Sequence, residues 1–312
     1  MSMLHVLFIA DDTSSFINKN YYYLEEELAG LVNLTIWRKS GHIASILKKL
    51  PKKPDFILLL NDMGQKLFPM IKGLAHIDIP TGLFVNDVHR LIKMRANFIV
   101  KNKIQHIFTV SRDQFIQTYP EHKHKIEWFP HFVNTDIYKD YSLKKDIQLL
   151  MMGAVNDYYP LRQEIVKAYS ADPRFICHHH PGYRDFNAKE EKKNMIGERY
   201  AKEINRAEIF FTCPSILHYP VIKYFEALAC KTLLLAPAFK ELEDLGFIAG
   251  EHFIAIDESN FKEKAEYYLA DNEKRQHLAE QGYQFIQQHH TVKIRAMQLV
   301  KRIENILQYE CL

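Results

Sequence analysis

The sequence predicts two α/β domains of the doubly wound, Rossmann-like kind, facing each other across a cleft. Three observations carry this. Short apolar runs recur along the whole chain, beginning with His5–Ala10; helical patterns lie between most of them; and the alternation runs twice, broken by a polar stretch at residues 139–146. Apolar runs without polar alternation suit strands covered on both faces, as in a parallel sheet clothed by helices. At roughly 100–200 residues per domain, a chain of 312 residues divides naturally into two.

In the first series the expected strands are His5–Ala10, 31–37, 55–60, Thr81–Val85, 106–110 and 126–132. Helical patterns at 21–29, 43–50 and from the end of the third strand to residue 75 join them. The second series opens with a strand at 147–152 that ends on Gly153. Pro160 then stands where a helix can begin without losing a hydrogen bond, and that helix runs through Tyr169. A strand at 175–178, a helix at 198–206, a strand at 208–212 and a helix at 221–230 follow, then strands at 232–236 and 252–256. Three helical patterns, near 260–270, 273–288 and 291–309, close the chain. The expected domains are 1–142 and 143–290, with a last helix at 291–312 crossing back to the N-terminal domain. No short-period repeat interrupts the pattern.

Composition excludes some functions. The net charge of +3, from 41 basic and 38 acidic residues, is too even for nucleic acid to be the main partner. Basic residues do cluster, at Lys48, Lys49, Lys52 and Lys53, and at Lys93, Arg95, Lys101 and Lys103. The second group is interleaved with Ile92, Met94, Phe98, Ile99 and Val100. Such a segment is either a solvated helix face or a peripheral contact with an anionic membrane surface. The cysteines Cys177, Cys213, Cys230 and Cys311 form no C-x-x-C pair, so neither a disulfide framework nor a zinc site is expected. The apolar start, residues 1–9, is cut short by Asp11 and Asp12 and reads as a buried strand rather than a signal peptide. No run reaches the ~18 apolar residues of a membrane span. The expectation is a cytoplasmic protein, with the membrane face as a peripheral location.

In open parallel sheets, ligands bind beyond the carboxyl ends of the strands. Polar residues there are the functional candidates. The richest segment runs from His218 through Pro220, Lys223 and Glu226 to Cys230. On a helical wheel Val221, Phe225 and Leu228 share one face, and Lys223, Glu226 and Cys230 the other. Read plainly, this is a surface helix with an i,i+3 ion pair. Read functionally, the helix starts at the cleft, its N-terminus attracts phosphate, and Glu226 accepts hydrogen bonds from two neighbouring ribose hydroxyls.

Residues 200–237, YAKEINRAEIFFTCPSILHYPVIKYFEALACKTLLLAP, resemble the donor-binding segment of GT-B glycosyltransferases. The similarity is greatest to the CgeB-like branch of the group 1 enzymes, associated with spore maturation and cell-surface glycosylation. Residues 147–162 (IQLLMMGAVNDYYPLR) and 128–138 (WFPHFVNTDIY) support it, the latter resembling the family's interdomain element. The resemblance covers most of the C-terminal half and fades in the N-terminal half. It implies that Glu226 holds the donor ribose and that Gly153 lets the backbone approach the donor phosphates. It also implies that Arg162 and Lys223 are the phosphate cations. A pyrophosphate leaving group needs positive charge as the sugar bond breaks. The resemblance implies that side chains supply that charge without a metal, and the sequence carries no Asp-x-Asp pair in a metal-binding context. Two positions depart from the family pattern. Counting back seven intervening residues from Glu226 gives His218 where retaining members carry Glu, and Lys231 stands where a glycine is usual.

The N-terminal half is expected to hold the acceptor. Asp87 and His89 follow the fourth strand, and an Asp–His pair can serve as orienter and general base; a helix cap beside an exposed histidine is the plainer reading. Ser111 and Arg112 are further candidates, and Asp11-Asp12 caps its own loop. The run His178-His179-His180 cannot gather on one ion, because neighbours on a strand point to opposite faces. One of the three can touch the donor from the Pro181-Gly182 turn, and Tyr158, Tyr159 and Tyr183 can stack on a base or a sugar. The sequence thus predicts a metal-independent glycosyltransferase using a nucleotide-diphosphate-sugar, UDP by resemblance, as co-substrate and no further cofactor. The acceptor is a glycan, a protein or a small molecule. Its catalytic candidates are Asp87, His89 and His218; its donor candidates are Gly153, Arg162, Tyr183, Lys223 and Glu226. The alternatives are a nucleotide-sugar epimerase, or a degenerate scaffold that binds nucleotide or glycan.

Overall fold

The run His5–Ala10 becomes a strand whose six residues are all buried, as a run without polar alternation requires. Around it the computed structural model, which describes residues 3–310, builds two units. Unit 1 comprises Met1–Ser14, Tyr21–Pro130 and Arg295–Leu312; unit 2 comprises Ser15–Asn20 and His131–Ile294.

In chain order, unit 1 carries β1 (His5–Ala10), α1 (Asn20–Leu31), β2 (Asn33–Trp37), β3 (Gly41–His42), α2 (Ile43–Leu47) and β4 (Phe56–Leu60). It continues with β5 (Ile71–Lys72), β6 (Thr81–Val85), α3 (Ile92–Lys101), β7 (His106–Thr109), α4 (Arg112–Thr118) and β8 (Ile126–Trp128). Six strands form a parallel sheet in the order β2-β1-β4-β6-β7-β8, and β3 pairs with β5 beside it. One face of this sheet packs Leu7, Ile9, Ile57, Leu59, Leu83 and Val85 against the helices. The other face packs tilted rings together, with Phe84 5.4 Å from Phe108 and 5.1 Å from Phe129.

Unit 2 carries β9 (Ile147–Gly153), α5 (Pro160–Tyr169), β10 (Phe175–His179), α6 (Ala188–Glu191), α7 (Gly197–Arg206) and β11 (Ala207–Phe211). It continues with α8 (Lys223–Ala229), β12 (Leu233–Ala236), α9 (Lys240–Asp244), β13 (Ile254–Ala255), α10 (Phe261–Ala270) and α11 (Asn272–His289). The last helix, α12 (Val292–Glu310), contributes its residues from Arg295 onward to unit 1. The second parallel sheet has the order β10-β9-β11-β12-β13. In each sheet the second main strand lies on one side of the first and the third on the other. The direction of winding therefore reverses between β1 and β4, and between β9 and β11. In such sheets the crevice beyond that reversal is where ligands bind.

Three expectations fail locally. The strand at 126–132 stops at Trp128, because Pro130 has no N–H to give to a ladder. The helix expected up to residue 75 does not form: Gly64, Pro69 and Gly73 interrupt that stretch, which folds as loop, the two residues of β5 and a short 3₁₀ turn at Leu74–His76. The helix expected at 221–230 is shorter, and Pro220 precedes it rather than opening it. Nor is α8 amphipathic as the wheel suggests. Glu226 is 6% exposed and Cys230 is fully buried, so the plain surface-helix reading fails. The second basic cluster changes too: Arg95 is buried, while Lys93, Lys101 and Lys103 are exposed beside exposed Ile92, Met94 and Val100. Among the described residues Cys177, Cys213 and Cys230 are free thiols; Cys311 lies outside them. No helix of the described residues is long and apolar enough to cross a membrane.

Candidate active site

Two strand ends at the winding reversal of unit 2 meet on one side chain. Gly153 closes β9, and Thr212 and Cys213 follow β11. Arg162, from the first turn of α5, spans them: one terminal nitrogen donates to the Ala154 carbonyl, the other to Thr212 Oγ1 and the Cys213 carbonyl, each at 3.1 Å. Its guanidinium lies 3.8 Å over the Tyr159 ring, and its Nε, buried, has no hydrogen-bond partner. Arg162 is therefore a buried cation held by neutral groups at a strand end. An anion is the partner such a group lacks.

Lys223, the first residue of α8, reaches the same place. A Cβ on Gly153 would stand 2.7 Å from Lys223 Cε and 3.1 Å from Arg162 Nη1, so the two cations occupy the volume the glycine leaves vacant. Gly153 also has φ +137°, a backbone state that disfavours side chains. Burial pulls the Lys223 ammonium below the usual lysine range; neighbouring Glu226 opposes this and Arg162 adds to it. The ammonium donates to Tyr200 Oη at 3.4 Å, and that hydroxyl donates to Glu226 Oε2 at 2.9 Å. Burial and the Glu226 charge hold the Tyr200 phenol well above its usual range, so it remains a donor. The result is a relay of cation, hydroxyl and carboxylate along one face of α8.

The structure thus brings together Gly153, Arg162, Lys223 and Glu226. Tyr183 is exposed and packs against His180 at a tilt of 36°, with ring centroids 4.4 Å apart. His180 extends this corner: it lies within electrostatic range of Lys223 and Arg162. His218 is exposed on the loop before α8, with φ +51°. Lys231 lies beyond the other end of α8 and pairs with Asp140 at 3.3 Å and Glu280 at 2.7 Å. Of the triple-histidine run, His178 on β10 contacts Glu203 at 2.9 Å, while His180 stands beyond the end of that strand and feels the charges of Lys223 and Arg162. Among the described residues no group of three or more His, Cys, Asp or Glu is arranged to hold a metal ion.

In unit 1, Asp87 and His89 lie in the loop between β6 and α3. The Asp87 carboxylate accepts from Arg90 at 3.1 Å. Burial lowers the His89 pKa, against the pull of Asp87 and with the push of Arg90 and Arg95, so the ring is neutral near pH 7. Sequence reasoning missed what positions this loop. Arg95 donates to the carbonyls of Val88 and Arg90 at 3.2 and 2.7 Å, and to Asp62 Oδ2 at 2.9 Å. Asp62 also accepts from the Asn86 amide N–H at 2.9 Å and its side-chain N–H at 2.8 Å, and the Tyr21 hydroxyl donates to Asn86 Oδ1. The signal was present in Asn61-Asp62, directly after the third strand, where polar residues at strand ends are informative. Asp11 and Asp12 cap their loop as expected, accepting from the backbone of Asp12 and Ser14 at 2.9 Å. The Arg112 guanidinium lies 4.4 Å over the Trp128 ring.

Residues 162–301 match the family model described as glycosyl transferase-like. No curated protein matches the chain in sequence. Among solved structures, the UDP-glucose complex of HepE from Anabaena is similar with TM-score 0.68 at 10% identity, over 96% of this chain and all of that one. Sucrose-phosphate synthase from Thermosynechococcus elongatus gives 0.68 at 12%, over 98% and 100%. A glycosyltransferase from Rickettsia africae gives 0.61 at 9%, over 98% and 99%. At these identities the likeness concerns the fold, which is GT-B. With the matched glycosyltransferase segment, the chain is a glycosyltransferase of GT-B type.

Proposed function

We infer that unit 2 binds a nucleotide-diphosphate-sugar, with UDP the nucleotide, and that the sugar passes to an acceptor on unit 1 without help from a metal ion. One observation carries the reading: Arg162 and Lys223 converge on the side-chain-free Gly153 at the winding reversal of unit 2. The diphosphate sits against these two cations, which neutralise the charge that develops as the glycosidic bond to phosphate breaks. Glu226, at the far end of the Tyr200 relay, accepts from the ribose hydroxyls. His218 contacts the transferred sugar and Tyr183 the base or sugar. His89, neutral and set beside Asp87, takes the acceptor proton. HepE, which shares the fold, is known in complex with UDP-glucose, and this favours UDP. The resemblance to the CgeB-like branch favours a cell-surface or spore glycan or protein as acceptor. Exposed Lys93, Lys101 and Lys103 among Ile92, Met94 and Val100 favour a cytoplasmic protein that touches an anionic membrane surface through unit 1.

The test is thermal unfolding with UDP, GDP, ADP, TDP and CMP, each with and without magnesium. A ligand at 100 times its dissociation constant stabilises by about 2.7 kcal/mol. Stabilisation by UDP, equal without magnesium and abolished in Glu226→Ala, is the expected outcome. Stabilisation by none of them would overturn the reading and favour a scaffold that has lost its donor site.

A further inference from the structure

His180 stands one residue beyond β10, where the register pairs His179 with Gly153. It therefore lies at the same sheet edge as the Arg162–Lys223 pair. Its ring is fixed on two sides. The Gly182 amide N–H donates to Nδ1 at 3.0 Å, and the Tyr183 ring packs against it, tilted by 36°, with centroids 4.4 Å apart. Gly182 has φ +98°, a conformation in which glycine is at ease. Because Nδ1 must accept from Gly182, a neutral ring carries its hydrogen on Nε2. A protonated ring would carry a hydrogen on Nδ1 as well and would break that bond.

We propose that His180 is a further donor-site residue, which binds the diphosphate through a neutral Nε2–H beside the two cations. This rests on the reading of unit 2 as a nucleotide-diphosphate site. In the free protein, burial and both neighbouring cations favour the neutral form. Burial above all, then Lys223 from α8 and Arg162 from α5, hold its pKa down to about 4. On its own strand His178 is held by Glu203, and His179 is exposed. The arrangement gives the site a hydrogen-bond donor whose strength does not change across neutral pH. A protonated histidine in its place would release the diphosphate as pH rose.

The experiment is calorimetric titration of the full-length protein with UDP-glucose from pH 5.5 to 8.5. Its pyrophosphate is a diester and adds no titration of its own in that range. Wild type is expected to bind with an affinity constant to within about twofold over this range. His180→Ala should lose roughly three- to tenfold at every pH, the usual worth of one such bond. His180→Gln, which keeps an N–H donor, should recover most of that loss, which a merely structural role of the ring would not produce. ¹⁵N shifts of the imidazole in the complex should report hydrogen on Nε2 and a bare Nδ1. Affinity that falls through pH 6–7 in wild type but not in His180→Gln would overturn the proposal, as would unchanged binding in His180→Ala. If the alanine variant fails to fold, the wild-type pH profile and the ¹⁵N shifts still decide. Failure of wild type to bind UDP-glucose at any pH would instead remove the donor-site reading, and this inference with it.

Discussion

A methyl group on Gly153 would stand 2.7 Å from Lys223 Cε and 3.1 Å from an Arg162 nitrogen. The glycine and the two cations therefore form one feature, in which the absence of a side chain makes room for charge. Gly153→Ala is expected to displace the lysine stem, which is flexible, and to strain a backbone at φ +137°. UDP affinity should fall at least about tenfold, or about 1.4 kcal/mol. The unfolding midpoint should drop only modestly. Calorimetric titration beside thermal unfolding checks this, and unchanged affinity would separate Gly153 from the phosphates.

Tyr200→Phe removes one hydroxyl and leaves the buried Glu226 carboxylate without its 2.9 Å donor. The expected cost is about 1–3 kcal/mol of stability, the penalty for stranding a buried acceptor. Lys223 also loses its contact through that hydroxyl, so nucleotide binding should weaken as well. Urea unfolding of the variant, with and without UDP, measures both effects. A stability equal to wild type would show that Glu226 is satisfied by other means.

Much of this was legible in the sequence, for identifiable reasons. Buried parallel strands announce themselves as uninterrupted apolar runs, so β1 and β6 and the double series were visible. The helix from Pro160 to Tyr169 could be read because proline tolerates one position in a helix and few others. The candidate donor residues came from resemblance and position, and the chain does gather Gly153, Arg162, Lys223 and Glu226. What could not be read was set by contacts distant in sequence. The wheel exposes Glu226, but Tyr200, 26 residues earlier, buries it. Arg95 looks like one of four surface cations until Asp62, 33 residues away, claims it. The tautomer of His180 depends on one backbone N–H, which no pattern of residue types reveals.

Arg95→Met tests the buried pair with Asp62. Both side chains are essentially inaccessible, at 1% and 0% exposure. Removing the guanidinium leaves an uncompensated carboxylate and two unfixed carbonyls in the Asp87–His89 loop. Breaking a buried pair from one side costs about 3–5 kcal/mol. Sugar transfer should fall much more than nucleotide binding, since the loop belongs to unit 1 and the proposed nucleotide site to unit 2. Equal losses of both would argue against an acceptor-side role for this loop.

Lys145 makes stability depend on pH in a stated direction. Burial lowers its pKa from the ordinary 10.5 to about 8, while its ammonium donates to the Lys231 carbonyl and Thr232 Oγ1, both at 3.0 Å. Between those pH values the unfolded chain holds a proton that the folded chain has released. Stability contributed by this group must therefore rise with pH across the window. The rise is at most about 3 kcal/mol. Unfolding free energies from pH 7 to 10.5 should show this component in wild type and lack it in Lys145→Met.

Lys231→Gly addresses the departure from the family pattern. The Lys231 N–H bonds to the Leu228 carbonyl, and the Thr232 N–H to the Ala227 carbonyl, at 2.9 and 3.3 Å. This is the crossed pair that closes a helix with a left-handed residue, and Lys231 has φ +54°. Glycine fits that position without strain, which accounts for its being usual there by the chemistry of helix termination alone. Lysine is compensated here by Asp140 and Glu280, both partly exposed pairs of small individual worth. The substitution relieves strain and removes those pairs, so stability should change by less than about 1 kcal/mol. UDP affinity and transfer rate should be unchanged, because Lys231 lies past the end of α8 opposite Lys223. A loss of binding in Lys231→Gly would mean that this end of the helix, and the lysine the chain has acquired there, belongs to the donor site after all.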